Sequence, residues 1–137
     1  MRIPVCKEFK QKANRPDLVA DIFRAILKSE SEIDQDKEHF WVMGCDTRLN
    51  VKFIDLVSLG TLDASLVHPR EVFRLAIQKG VSAIVVAHNH TSGETYPSPQ
   101  DIDVTKRLRD AGRILGIQLL DHIIVGDSYY PFADNHI

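Results

Sequence analysis

The chain has 137 residues, and at this length it reads as one compact domain. Such a domain buries about two-thirds of the surface its unfolded chain exposes, so a core forms without staples. Apolar residues make up 44% and charged residues 26%, ordinary for a globular domain, and the net charge of -2 excludes a global attraction to nucleic acid or anionic membrane.

Cys6 and Cys45 lie far apart with no CxxC spacing. That excludes a disulfide framework and a cysteine-built zinc site, and it fits a reducing compartment. The opening MRIPVCKEFK holds no signal-peptide core, and no apolar run approaches the roughly 20 residues of a membrane helix. The expectation is a cytoplasmic protein with no membrane partner.

Residues 1–13 are weakly patterned and read as an arm or an edge strand. Pro16 opens a helix, in which Leu18, Val19, Ile22, Phe23, Ile26 and Leu27 recur at helical spacing. SESEIDQDK (29–37) is a charged break. HFWVMGC (39–45) and VKFIDLVSL (51–59) read as a strand pair around a turn at Asp46 to Asn50, and TLDASLV (61–67) as another short strand. Pro69 opens a second helix with Val72, Phe73, Leu75 and Ala76 inward, and Gly80 ends it.

VSAIVVAH (81–88) is a near-continuous apolar run and reads as a buried central strand. A third helix begins with Ser98 as N-cap, Pro99 as first residue and Asp101 as third, and ends at Gly116. IQLLDHIIVG (117–126) is another strand, and SYYPFA adds a short last one. The order predicts an α/β domain, a single mixed sheet with flanking helices. The division expected is an arm and helix over 1–35 and a catalytic domain over 36–137.

The chemistry concentrates in AHNHTSGETYPSPQD (87–101). His88 and His90 stand two apart where a buried strand ends, so both side chains point to one face. Asp101 falls in the first turn of the next helix, within reach if the loop folds back. Two imidazoles and a carboxylate suit zinc, and three protein ligands leave a fourth position for water. Taken singly, each residue has a plainer role: a strand-end histidine, a helix N-cap at Ser98, and a first-turn acid at Asp101.

His88-Asn89-His90, seven residues, Ser98, two residues and Asp101 resembles the JAMM (MPN+) metalloprotease signature at every spacing. GTLDASLVHPREVF (60–73), AHNHTSGETYPS (87–98), DIDVTKRL (101–108) and LLDHIIVGD (119–127) resemble the RadC branch in particular. The likeness covers roughly residues 36–127. It implies the JAB/MPN (cytidine-deaminase-like) fold, with one zinc on His88, His90 and Asp101 and hydrolysis of a peptide or isopeptide bond by a metal-activated water. It also implies a general base from an early strand, best matched by Glu38, and an oxyanion-stabilising hydroxyl on Ser98. Glu71 and Glu94 compete with Glu38; the plainer readings are a helix-start acid and a loop acid.

Thr91 stands where many RadC-like sequences have proline after the second histidine. Longer members carry an N-terminal helix-hairpin-helix domain for which these residues leave no room. DNA association and DNA repair are therefore implied only by family. Asp121 and His122 read as a partly exposed strand pair, with a supporting role beside the metal as the alternative. Lys106, Arg107, Arg109 and Arg113 make the third helix basic, read as a solvated face. Two other functions are open: a metal-dependent nuclease, and a binding module that keeps the metal without turnover. A zinc deaminase is set aside, for lack of His-x-Glu and Pro-Cys-x-x-Cys.

Overall fold

The structure is a computed structural model that describes residues 12–60 and 67–137 and the backbone of residues 2–3. Its strands are β1 (Arg2–Ile3), β2 (Glu38–Cys45), β3 (Val51–Gly60), β4 (Ala83–Asn89), β5 (Gln118–Val125) and β6 (Tyr129–Pro131). Its helices are α1 (Pro16–Ser29), α2 (Glu32–Gln35), α3 (Pro69–Lys79) and α4 (Pro99–Leu115). The sheet order is β1-β3-β2-β4-β5-β6. Only β4 and β5 run parallel among the described pairs, joined by α4 as the crossover; the rest are antiparallel. The mixed sheet with flanking helices is the architecture expected.

Side-chain alternation splits the central strands between two cores. Trp41, Met43, Val85, Ala87 and Ile123 face α1 and meet Val19, Ile22, Phe23 and Ile26. Phe40, Val42, Ile84 and Val86 face the other way and meet Val72 and Phe73 of α3 and Val104 and Leu108 of α4. β4 is buried along its whole length because both faces are covered, which explains its unbroken apolar sequence. α1 thus shares a core with the central strands β2, β4 and β5.

Local chemistry sets the helix ends. α1, α3 and α4 all begin on proline, where the missing N–H costs nothing. α4 ends on Gly116 in the left-handed region, φ 73°. The charged break differs from expectation: Ser31 accepts from the Asp34 amide and starts the one-turn helix α2. The expected strand over 61–67 lies almost wholly outside the described residues.

Gly112 sets how closely α4 approaches β5. A Cβ there would lie 2.3 Å from the Ile117 carbonyl oxygen, while the Ile117 amide donates to the Gly112 carbonyl at 2.9 Å. Helix propensity favours alanine by about 1 kcal/mol, whereas forcing a methyl against backbone costs about 1–3 kcal/mol. The contact wins. Gly112→Ala is expected to lower the thermal melting temperature by several degrees; a melting temperature at or above wild type would mean that the Ile117 segment yields.

Candidate metal centre

His88 lies near the end of β4, paired with Phe40 of β2 on one side and Ile124 of β5 on the other. It is fully buried. Its even register turns it toward the α4 side of the sheet, with Phe40 and Val86. His90 follows just past the strand end. α4 starts beside them because Ser98 and Asp101 form a reciprocal capping box. The Asp101 amide donates to Ser98 Oγ at 3.2 Å, and the Ser98 amide donates to Asp101 Oδ2 at 2.8 Å.

Three side chains meet there. His88 Nε2 lies 3.0 Å from His90 Nε2 and 3.1 Å from Asp101 Oδ1, and His90 Nε2 lies 2.9 Å from Asp101 Oδ2. Zinc bonds of 2.0–2.1 Å in tetrahedral geometry separate ligand atoms by about 3.3 Å. The observed separations are within a few tenths of an ångström of that. The donor set therefore fits a small divalent ion, and His88, His90 and Asp101 form a group that can hold one.

The outer ring nitrogens are already engaged. His90 Nδ1 lies 3.0 Å from the Glu94 carbonyl, which can only accept. His90 Nδ1 is therefore the donor, and in the neutral ring Nε2 is left bare and aimed at the site. His88 Nδ1 lies 2.7 Å from Nε2 of His122.

Electrostatics follow from this packing. The Asp101 hydrogen bond raises the His90 pKa above its ordinary value against the opposing pull of burial, and the charges of Asp101 and Glu38 add to the rise. Burial disfavours the Asp101 carboxylate, but its close contacts with the two imidazoles and the hydrogen bond from the Ser98 amide hold its pKa far below the carboxylate range.

Glu38 is the first residue of β2 and half-buried. It shares the face of Phe40, the partner of His88. Extending that register one step past the strand end sets it across from His90. Ser98 sits at the α4 N-cap, one capping box away from Asp101. The competing acids separate: Glu94 reaches His90 through its backbone carbonyl, while Glu71 lies in the first turn of α3 with Arg74 at 3.5 Å. A cleft of about 270 Å³ opens beside His90 and Thr91, bordered by Arg24, Lys28, Asp36 and Asp127.

The sequence model of the RadC-like JAB domain family matches residues 13–137. The chain belongs to this family. It is 50% identical over 95 residues to a UPF0758 protein of Desulforudis audaxviator, covering 69% of this chain and 41% of that protein. It is 47% identical over 116 residues to a UPF0758 protein of Shouchella clausii, covering 85% and 50%. A UPF0758 protein of Rubrobacter xylanophilus is 39% identical over 132 residues, covering 90% and 58%. The chain thus spans about half the length of the curated relatives it matches. Among the described residues of this JAB domain, no helix is long and apolar enough to cross a membrane.

Sequence reading assigned no role to two residues and misplaced a third. Asn89, between the two histidines, points to the opposite face. It accepts from the His39 amide at 2.7 Å and donates to the Lys37 carbonyl at 3.0 Å, gripping the backbone on both sides of Glu38. Thr105 is buried in α4 against His122. His122 is 1% exposed, not partly exposed as read from the sequence. The residue preceding it misled: Asp121 turns the other way, to the amides of Ala133 and His122. The three arginines of α4 are engaged within the chain, Arg107 with the Val67 carbonyl, Arg109 with the Ile137 carbonyl and Arg113 with Asp110.

Because His90 Nδ1 is committed to a carbonyl, the proton it shares with Asp101 sits on Nε2. A metal and that proton compete for one atom. His90 keeps the proton to higher pH than an ordinary histidine, so metal affinity is expected to fall as pH drops from about 8 to about 5.5, by about tenfold per pH unit for each proton displaced. Calorimetric titration in buffers of different ionisation enthalpy reads the released proton; affinity independent of pH would contradict the shared atom.

Proposed function

We propose that this RadC-like JAB domain is a zinc-dependent hydrolase that cleaves a peptide or isopeptide bond. The observation that supports it most is the convergence of His88 Nε2, His90 Nε2 and the Asp101 carboxylate, with the outer nitrogens of both imidazoles already engaged. Three protein ligands are the open pattern of catalytic zinc rather than the closed four of structural sites. When bound, zinc acts as a Lewis acid that makes water nucleophilic near neutral pH and polarises a carbonyl.

The remaining steps belong to this chain's own residues. Glu38 acts as general base, taking a proton from the attacking water and passing it to the leaving amine. Its position at the strand start, gripped through Asn89, favours it over Glu71 and Glu94. Ser98 Oγ accepts from the Asp101 amide, and its own proton is left to donate to the developing oxyanion. The cleft beside His90 gives an extended chain an approach, and its mixed charges select no single sign.

Elemental analysis is the first test. About one zinc per chain, lost in His88→Ala, is expected; no zinc uptake at neutral pH sinks the reading. Glu38→Gln then separates an enzyme from a binding module. On a responsive peptide or isopeptide substrate, turnover should fall by about 10²–10⁴-fold with zinc content unchanged. Unchanged turnover removes Glu38 from the mechanism.

A further inference from the structure

We propose that Thr105 and His122 form a fixed proton chain that sets the tautomer of His88 and keeps its Nε2 bare for the metal, so both are positioning residues for the site. The inference rests on the reading of His88 as a metal ligand, and neither residue belongs to the spaced motif.

Proton counting along four contacts gives the direction. Thr105 Oγ1 lies 2.9 Å from the Asp101 backbone carbonyl and 2.6 Å from His122 Nδ1. The carbonyl can only accept, and a hydroxyl has a single proton. Both contacts are satisfied only if Thr105 donates to the carbonyl and accepts from His122. His122 Nδ1 therefore carries hydrogen. The His122 ring is 1% exposed and has no carboxylate partner among the described residues, so burial keeps it neutral and its Nε2 is an acceptor. His88 Nδ1, 2.7 Å away, must then be the donor. A neutral imidazole that donates from Nδ1 has its lone pair on Nε2, the atom facing His90 and Asp101.

Packing holds the chain in place. His122 stacks on Phe132 with centroids 4.4 Å apart and planes at 15°, and meets the edge of Phe40 at 5.9 Å. Phe40 also stacks against His88 at 6.1 Å. Neither ring has room to turn freely. The chain begins and ends on one residue: the Asp101 carbonyl fixes Thr105 one helical turn on, and the Asp101 carboxylate faces the nitrogen that the chain leaves bare. A β-branched threonine inside a helix usually weakens it slightly by bonding back to the preceding turn. Here that bond commits the hydroxyl proton and makes the oxygen an obligatory acceptor.

Thr105→Val keeps the shape and removes the acceptor, Thr105→Ser restores it, and His122→Phe keeps the ring and removes both nitrogens. Zinc affinity is measured by competition with a chelator, and thermal melting shows that each variant is folded. Thr105→Val and His122→Phe are expected to bind zinc roughly 10–100-fold more weakly, and Thr105→Ser close to wild type. Long-range nitrogen–proton NMR spectra of the metal-free protein at pH 8 should show the Nδ1–H form of His88 in wild type and a mixture of forms in Thr105→Val. Zinc affinity unchanged in Thr105→Val, or lowered equally in Thr105→Ser, overturns the proton chain. If wild type takes up no zinc, the metal reading fails by itself, and the tautomer spectra still decide whether the chain exists.

Discussion

Asp101 Oδ2 lies 2.8 Å from the Ser98 amide and 2.9 Å from His90 Nε2, so the start of a helix and the candidate metal centre share one oxygen. The capping interaction is local and forms wherever α4 forms. The contacts to His88 and His90 are not local, because they need β4 to end beside α4. The parallel pairing of β4 with β5 meets that need. A parallel pair requires a crossover, and the crossover returns over the sheet face on which His88 points. A shift of one residue in β4 would turn His88 into the α1 core and Asn89 toward α4, taking the His88 imidazole away from Asp101.

The same alternation makes the His-Asn-His triplet serve two faces. Its histidines join α4, while Asn89 holds the backbone of Lys37 and His39 on the other side. Glu38 lies between those two residues. A strand start is ordinarily a place where a chain frays, and the role proposed for Glu38 needs a defined position. Two side-chain hydrogen bonds from the neighbouring strand remove that freedom. The carboxylate held in this way adds its charge to that of Asp101 in favouring the protonated form of His90.

Much of this was legible in the sequence because the signals are short-range. Proline at the helix starts, Gly80 and Gly116 at the ends, and the apolar run of β4 each act within a few residues. The spacing from His88 to Asp101 carried the centre, since it joins a strand end to a capped first turn. His122 and Thr105 were not legible in the same way. They lie 17 positions apart, and their contact depends on the register of β5 against β4 and on the bulge between Ile84 and Val85. That bulge pairs Leu119 with Ile84 and then Asp121 with Val85, so it decides which face His122 takes. No local pattern in LLDHIIVGD encodes it. α2 escaped for another reason: four residues give no periodicity, and its cap is one serine in a charged run.

Placing two histidines, a threonine and an aspartate inside a small core would destabilise it if any were unpaired. Their exposures are 0% for His88, 1% for His122 and Thr105, and 5% for Asp101. Along the proton chain every ring nitrogen and the hydroxyl has a partner, so the desolvation cost is offset until the site itself is reached. There the pairing is of a different kind. His88 Nε2 and His90 Nε2 face each other at 3.0 Å, and two nitrogens that present only lone pairs repel at that distance unless a proton or a cation lies between them. A proton joins one nitrogen at a time. A divalent ion with a tetrahedral preference could be held by both nitrogens and the carboxylate together. Unlike charge alone, the crowding of these nitrogens at one point would therefore favour a metal over a proton.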